Sequence, residues 1–339
     1  MTDIVDWDLA VATGVRLAPR GPEVTEDDVD RAVRQLRRAS ERAVQPVADV
    51  TELQAPFEEH RAVVVGRPEW LRSNVEQFKI AVEPVADDLR DPNGSTIGRA
   101  VGSRVTAVQM GGVLSWLSGK VLGQYEAFGD RGRLLLVAPN IVRAERQLDV
   151  DTTDFRLWVC LHEETHRVQF GAVPWLSRHF TAQVHEYLRA SESDFGESVS
   201  RVVASLRRRT LGDAGLIDLV QTPQQREVLD GLTALMSLLE GHADVVMDAV
   251  GPQVVPSVDV IRRRFDQRRR ESGTLDGALK RLLGLDAKLR QYTEGAAFVR
   301  GVVDRVGMTG FNAVWASPET LPRLPEISDP QAWVRRVHG

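Results

Sequence analysis

The stretch L-H-E-E-T-H, from Leu161 to His166, holds two histidines that are four positions apart. On an α-helix this spacing puts the imidazoles of His162 and His166 on one face, a single turn from each other. Two imidazoles so placed can direct a ring nitrogen at the same Zn²⁺ ion, which accepts nitrogen ligands at about 2.0–2.1 Å. Glu163 follows the first histidine, at the position where H-E-x-x-H motifs keep a general base. The stretch therefore predicts a metal-binding helix with a carboxylate beside the metal.

Apolar residues surround these histidines on nearly every side of the predicted helix, which indicates that the helix is buried. They are Phe155, Leu157, Trp158, Val159, Cys160, Leu161, Val168 and Phe170. The alternative interpretation, a pair of solvated histidines on an amphipathic helix, fits such neighbours poorly. A buried pair of histidines next to a glutamate needs a polar partner, and a metal ion supplies one. Cys160, the single cysteine, is expected to be a buried and inert thiol.

A catalytic zinc takes a third protein ligand and leaves a fourth position open. The continuation H-x-x-G-x-x-H would supply that ligand from the same helix, but Gln169 and Ala172 occupy the places of its glycine and its histidine. The candidate is Glu240, which lies in the apolar segment L-L-E-G-H-A-D. Asp244 follows one helical turn later and is expected to accept a hydrogen bond from the outer nitrogen of a zinc-bound histidine. The alternative for this pair is an ordinary helix charge and a salt-bridged aspartate.

H-E-E-T-H with a distant E-G-H-A-D resembles the zincin-like metallopeptidases whose third ligand is a glutamate, of which thermolysin is the familiar member. The surrounding segments A-V-P-W-L, L-L-E-G-H-A-D-V-V-M-D and L-L-G-L-D-A-K-L-R-Q-Y are more specific. They resemble a family of bacterial proteins classed as hydrolases and associated by name with deazaflavin cofactor biosynthesis, over almost the whole chain. The resemblance implies a zincin-like metal site in a mainly helical protein, with a strand beside the active-site helix. It implies no substrate, and none of these segments resembles a flavin or deazaflavin site.

Composition and charge are those of an ordinary soluble protein. Of the 339 residues, 42 % are apolar and 27 % are charged, and the net charge is −5. This acidic balance gives no electrostatic reason to expect binding to nucleic acid or to anionic lipid. The N-terminal segment M-T-D-I-V-D-W has neither a positive start nor an apolar run, so it does not have the pattern of a secretory signal. A cytoplasmic location is the default expectation.

Helical patterns far outnumber strand candidates, which predicts a mainly α (α+β) fold with a small sheet, or a single edge strand, beside the H-E-x-x-H helix. We expect one zincin-like domain over residues 1–339, with an N-terminal helical subdomain at about 1–95 as a further option. Leu134 to Ala138 is the candidate edge strand, because four apolar residues there follow a turn signal and precede a proline. An extended peptide could join such an edge by β-augmentation.

One long apolar run, from Gly98 to Phe128, could be either a central helix or a membrane span. Arg104 and Lys120 bracket only 15 residues of it, whereas a bilayer crossing needs about 20. We therefore expect a buried central helix and no membrane span.

A further helix has a clear start and an expected end. Thr25 and Asp28 resemble a capping box, which predicts that a helix begins there. This helix is expected to run to about Val44, because Pro46 breaks the pattern.

Together these features predict a zinc-dependent hydrolase of peptide or other amide bonds. The expected zinc ligands are His162, His166 and Glu240. Glu163 would act as the general base, and Tyr292 and His242 are candidates for stabilising the developing oxyanion. The alternative is a catalytically silent, metal-stabilised binding or scaffold protein, but such a protein does not need the base Glu163. The expected partner is a peptide or small amide substrate; nucleic acid is not expected, and protein partners stay open.

Overall fold

Helices predominate in the computed structural model, which describes residues 4–56, 62–86, 96–128, 132–190, 223–271 and 285–339. The helices are α1 Trp7–Leu17, α2 Glu26–Thr51, α3 Arg67–Val82, α4 Thr96–Ser118, α5 Ala138–Leu148, α6 Thr152–Ala172, α7 Leu176–Arg189, α8 Pro223–Val250, α9 Val258–Glu271, α10 Leu285–Phe311, α11 Leu324–Ile327 and α12 Pro330–His338. Short 3-10 turns span Glu83–Val85, Asn312–Trp315 and Pro318–Thr320. The expected mainly α fold with a small sheet is confirmed.

The sheet has the strands β1 Val63–Val65, β2 Gly123–Tyr125 and β3 Leu134–Val137, in the order β1-β3-β2. β1 runs parallel to β3, and β2 runs antiparallel to it. The predicted strand at Leu134 to Ala138 exists, but its expected position at the edge is wrong, because β3 is the middle strand. Its four apolar side chains are all buried, as expected for a strand that is covered on both faces. The edge strand that packs against α6 is β2.

Helix α2 begins as predicted and ends later than predicted. The backbone N–H of Asp28 donates to Thr25 Oγ1 at 3.2 Å, and the backbone N–H of Thr25 donates to the Asp28 carboxylate at 3.3 Å. The expected end before Pro46 is wrong, because the helix continues to Thr51. Val47 and Thr51 are both fully buried beyond the proline, so packing on that face offsets the lost backbone hydrogen bond.

Helix α4 ends at Ser118, and the chain then enters β2, so the apolar run is a helix followed by a strand. One face of the helix is buried through Ala107, Met110 and Leu114. The expected buried helix is thus buried on one face only, because Val101, Val105 and Val108 on the opposite face are exposed. Among the described helices, none combines the length and the apolar character required to cross a bilayer.

Two apolar clusters meet along α6 and α8. The first contains the apolar residues of α6 from Phe155 to Val168, and it is joined by Val246, Met247 and Val250 of α8. The second contains Ala234, Leu235, Leu238 and Leu239 from the preceding turns of α8, together with residues of α10 and the C-terminal helices. Glu240 follows Leu239 of the second cluster on α8, and the two clusters adjoin shortly after it, at Val245 of the second and Val246 of the first. Polar chemistry can be placed there without interrupting either core.

Candidate metal centre

The two histidines lie on the part of the surface of helix α6 that is not fully buried in the core. The Asp151 side chain caps the helix by accepting a hydrogen bond from the backbone N–H of Asp154 at 2.9 Å. Most of the helix beyond this cap is buried, as the apolar flanks predict. The side chains of His162 and His166 remain 27 % and 13 % exposed. Both rings are therefore fixed by the helix and still reachable from solvent.

Glu240 of α8 faces both histidines and completes a group of three potential metal ligands, whose ligand atoms all lie within 4.8 Å of one another. The Nε2 atoms of His162 and His166 are 3.2 Å apart. One carboxylate oxygen of Glu240 is 3.6 Å from His162 Nε2, and the other is 3.7 Å from His166 Nε2. The two helices thus bring together the three side chains that the sequence predicts as ligands.

These spacings suit a tetrahedral zinc ion. Ligand atoms at about 2.0–2.1 Å from a tetrahedral metal are separated from one another by about 3.3–3.4 Å. The two nitrogens and the carboxylate are already close to that separation. Two imidazole nitrogens and one carboxylate are also the donor set of a catalytic zinc site that keeps its fourth position open. The residues present therefore fit the metal.

Gln169 lies directly behind His166. Its Oε1 is 2.9 Å from His166 Nδ1, and its Nε2 is 2.9 Å from the backbone carbonyl of Leu239 and 3.0 Å from His242 Nδ1. Gln169 and His242 are both fully buried. The outer nitrogen of His166 is thus held by the neutral amide of Gln169.

Glu163 packs against the edge strand. Its side chain is only 5 % exposed, and a Cβ built on Gly123 of β2 would lie 2.5 Å from the Glu163 carboxyl carbon. Burial raises the pKa of Glu163 well above its ordinary value, and the nearby negative charge of Glu240 raises it further. The carboxyl group therefore sits between β2 and the ligand group, in surroundings that favour its protonated form. A buried carboxyl group beside the candidate ligands is placed where it can take part in proton transfer.

Asp244 lies on α8 one turn beyond Glu240. Its carboxylate is 3.9 Å from an Arg262 guanidinium nitrogen, and Arg262 also donates to the Asp244 backbone carbonyl at 3.0 Å. The same side chain lines a cavity of about 190 Å³, whose other lining residues are Trp158, Arg262, Phe265, Asp266, Ala296 and Arg300. The structure thus gives Asp244 the salt-bridge contact that the sequence left as an alternative.

The two candidates for oxyanion stabilisation have different outcomes. The His242 ring packs on Phe311 and Trp315, with centroid distances of 5.2 and 5.6 Å. Burial lowers the pKa of His242 to about 3, and the positive charge of His166 contributes to the shift. His242 is therefore neutral near neutral pH. It lies behind the candidate ligand His166, and the Gln169 side chain lies between the Nδ1 atoms of the two histidines. Tyr292 belongs to α10, but its side chain lies outside the described part of the structure.

Cys160 is fully buried, as expected, and burial raises the pKa of its thiol, which disfavours the reactive thiolate. Gln169 and Gly123 are the site residues that sequence reasoning missed. Gln169 stands three positions after His166, a helical spacing that puts the two side chains on one face and could have indicated the contact. Gly123 gave no such signal, because its role depends on the packing of a strand against a helix.

Comparison with known proteins finds similarity over nearly the whole chain. A family model described as zincin-like metallopeptidase matches residues 5–334. Among solved structures, the chain is similar to a protein from Chloroflexus aurantiacus whose crystal structure is described as that of a candidate hydrolase with a novel fold. The two sequences are 33 % identical, the TM-score is 0.71, and the match covers 98 % of this chain and 99 % of that chain. No match is found among curated proteins.

Proposed function

Because the chain belongs to the family of zincin-like metallopeptidases, we propose that it is a zinc-dependent hydrolase of peptide or other amide bonds. The observation that carries the proposal is the convergence of three side chains from two helices, with a buried glutamate beside them. The three are His162, His166 and Glu240. A purely structural metal site needs the three ligands but has no use for Glu163, so the buried glutamate favours an enzyme over a scaffold.

Each part of the site has a distinct task in this proposal. The two histidines and Glu240 would hold the zinc ion, which when bound supplies Lewis-acid activation of water and of the substrate carbonyl. Glu163 would accept a proton from the attacking water as the carbon–oxygen bond forms, and then deliver it to the amine that leaves as the carbon–nitrogen bond breaks. Its raised pKa supports the first transfer, because a carboxylate with a higher affinity for the proton is the stronger base.

The edge strand offers a way to hold an extended peptide. Just outside the two ends of β2, the backbone N–H of Val137 donates to the carbonyl of Leu122 at 2.8 Å, and the backbone N–H of Glu126 donates to the carbonyl of Arg133 at 2.9 Å. In an antiparallel pair the hydrogen-bonding direction alternates along the strand, so the backbone groups of Gly123 and Tyr125 face the other edge. A peptide paired with that edge would pass beside Glu163, whose carboxyl group adjoins Gly123. This arrangement supports a peptide or another extended amide as the substrate class.

The test is the variant Glu163→Gln, which keeps the size of the side chain but cannot accept a proton. We expect it to fold and to bind zinc like the wild type, while turnover in a peptide-library screen falls by about 10²–10⁴-fold, as is typical for loss of a general base. Glu41→Gln, which changes an exposed carboxylate on α2, is the matched control and should keep full turnover.

Two results together would contradict the proposal and favour the scaffold. The first is a zinc-loaded wild type that cleaves no member of the library. The second is a Glu163→Gln variant that complements a deletion strain as well as the wild type does.

A further inference from the structure

We propose that Gln169 is a positioning residue, which holds the His166 ring in the tautomer that a zinc ligand requires and ties α6 to α8 beside the metal centre. The inference rests on the proposed function for the identity of the metal. It concerns a residue that touches neither the metal nor the substrate. Gln169 acts through His166. Its side chain is fully buried, and all the contacts that carry the proposal are made by its amide group.

The orientation of the Gln169 amide follows from its surroundings. The backbone carbonyl of Leu239 can only accept a hydrogen bond, so the amide group that faces it at 2.9 Å must be the NH₂ group. The oxygen of the same amide then faces His166 Nδ1 at 2.9 Å. Rotating the amide by 180° would put two acceptors against each other at Leu239. The carbonyl of α8 thus determines which atom His166 meets.

This orientation selects one tautomer of His166. Since Gln169 Oε1 can only accept, His166 Nδ1 must carry the proton and donate it. His166 Nε2, which lies 3.7 Å from Glu240 and 3.2 Å from His162 Nε2, is then unprotonated and has the lone pair that a metal ligand requires. A neutral histidine in the opposite tautomer would point an N–H group at the metal position and could not bind there. The Gln169 contact therefore prepares His166 as a ligand before any metal arrives.

The second amide hydrogen of Gln169 has its own acceptor. His242 Nδ1 lies 3.0 Å from Gln169 Nε2 and must be unprotonated to accept from it. Its Nε2, at the other side of the ring, meets no hydrogen-bond partner among the described residues. The ring itself packs on Phe311 and Trp315. His242 thus fixes the amide from the side opposite to His166.

The same contacts set the distance between the two helices that carry the ligands. Gln169 belongs to α6, whereas Leu239 and His242 belong to α8, on either side of Glu240. One buried amide therefore bonds to the residue before and the second residue after the third ligand. Its loss would both release the His166 ring and loosen the placement of the Glu240 carboxylate.

The experiment measures the His166 tautomer and the zinc affinity separately. In metal-free protein labelled with ¹⁵N-histidine, long-range ¹H–¹⁵N spectra at pH 8 report which ring nitrogen carries the proton, because an ordinary histidine is neutral there. We expect wild-type His166 to be protonated at Nδ1 and the variant Gln169→Met to lose this preference. Zinc affinity, measured by competition with a chelator, should fall by about 10–100-fold in the variant, the usual effect of losing an outer partner of a metal ligand.

Gln45→Met, at an exposed position of α2, is the matched control and should change neither quantity. Wild-type His166 protonated at Nε2 would overturn the proposal, and so would a folded Gln169→Met protein that binds zinc within twofold of the wild type. The wild-type spectrum tests the predicted tautomer of His166 even if the Gln169→Met variant fails to fold. A wild type that binds no zinc would instead refute the proposed function, while the tautomer of His166 would still decide the role of Gln169.

Discussion

At Gly123, a single added methyl group would meet the carboxyl group of Glu163. A Cβ there would lie 2.5 Å from the Glu163 carboxyl carbon, a separation that real side chains do not adopt. The atom in the way is the end of a flexible side chain, so Gly123→Ala should displace Glu163 and leave the fold intact. We expect turnover to fall by at least about tenfold, since misplacing a catalytic group by about 1 Å can cost up to about 10²-fold.

Zinc content and thermal unfolding of Gly123→Ala should match the wild type, because the three ligands lie outside the clash. The matched control is Gly102→Ala on α4, where an added Cβ meets nothing within 4 Å and turnover should be unchanged. Equal turnover in the wild type and Gly123→Ala would show that Glu163 does not act from its position against β2.

The lowered pKa of His242 predicts that the free energy of unfolding depends on pH. Its pKa is about 3 in the folded protein, where burial disfavours the charged form, against about 6.5 for an ordinary histidine. Above pH 6.5 neither state binds this proton. As the pH falls from about 6.5 toward 3, only the unfolded chain takes it up, so the free energy of unfolding decreases, by up to about 1.4 kcal/mol per pH unit.

Urea denaturation of metal-free protein between pH 4 and 7 checks this prediction. We expect the variant His242→Phe to show a shallower loss of stability with acid than the wild type, whatever its stability at pH 7. His338→Phe, which changes an exposed histidine of α12, should keep the wild-type slope. A His242→Phe slope equal to that of the wild type would mean that His242 does not resist protonation in the fold.

Which site residues could be predicted from sequence depended on the range of the interaction. His162, His166 and Glu163 are set by spacing within a single helix turn, so the motif alone predicts them. Glu240 was found because a carboxylate inside an apolar helix needs a partner. Gln169 was noted only for its position in the motif, since its contacts to Leu239 and His242 join helices 70 residues or more apart in the chain.

Two glycines set the crossing of α8 and α10. A Cβ on Gly241 would overlap the backbone of Gly295, and a Cβ on Gly295 would overlap the carbonyl of Ser237. Backbone atoms cannot rotate away, so the helices would have to separate. Because Gly241 adjoins Glu240, such a shift would also move the third ligand relative to α6.

We expect Gly241→Ala and Gly295→Ala each to destabilise the protein by about 1–3 kcal/mol, the usual cost of overpacking, and to weaken zinc binding. Gly112→Ala is the matched control, because an added Cβ on this α4 glycine meets nothing within 4 Å. That variant should be neutral or more stable by about 0.5–1 kcal/mol, since alanine is the better helix former. Thermal unfolding compares the three, and equal stability of all three would contradict the close crossing of α8 and α10.

The elements themselves were predictable where the signal was local. The apolar pattern located α6 and α8, and the capping box at Thr25 located the start of α2. The end of α2 at Pro46 and the edge position of Leu134 to Ala138 were wrong for a shared reason. Burial of the residues beyond the proline, and the pairing of β3 with strands on both sides, come from parts of the chain that local patterns do not describe.

At the scale of the whole molecule, the metal centre lies where two apolar clusters meet. α6 and α8 each contribute residues to both clusters, so the ligands are held by helices that are anchored on either side of the site. The similarity to the Chloroflexus aurantiacus protein extends over 98 % of this chain. The two proteins therefore share the overall arrangement of their helices, and the similarity is not limited to a short motif. The proposed function therefore requires that zinc binds at this meeting point.

The most direct test is a crystal structure of protein purified without chelator, with diffraction data collected just above and just below the zinc absorption edge. We predict one anomalous peak between His162 Nε2, His166 Nε2 and the Glu240 carboxylate, at about 2.0–2.2 Å from each, that disappears below the edge. The peak should be absent from His166→Ala crystals. Protein made in zinc-replete medium that shows no zinc peak at these three residues, or binds its zinc elsewhere, would contradict the account.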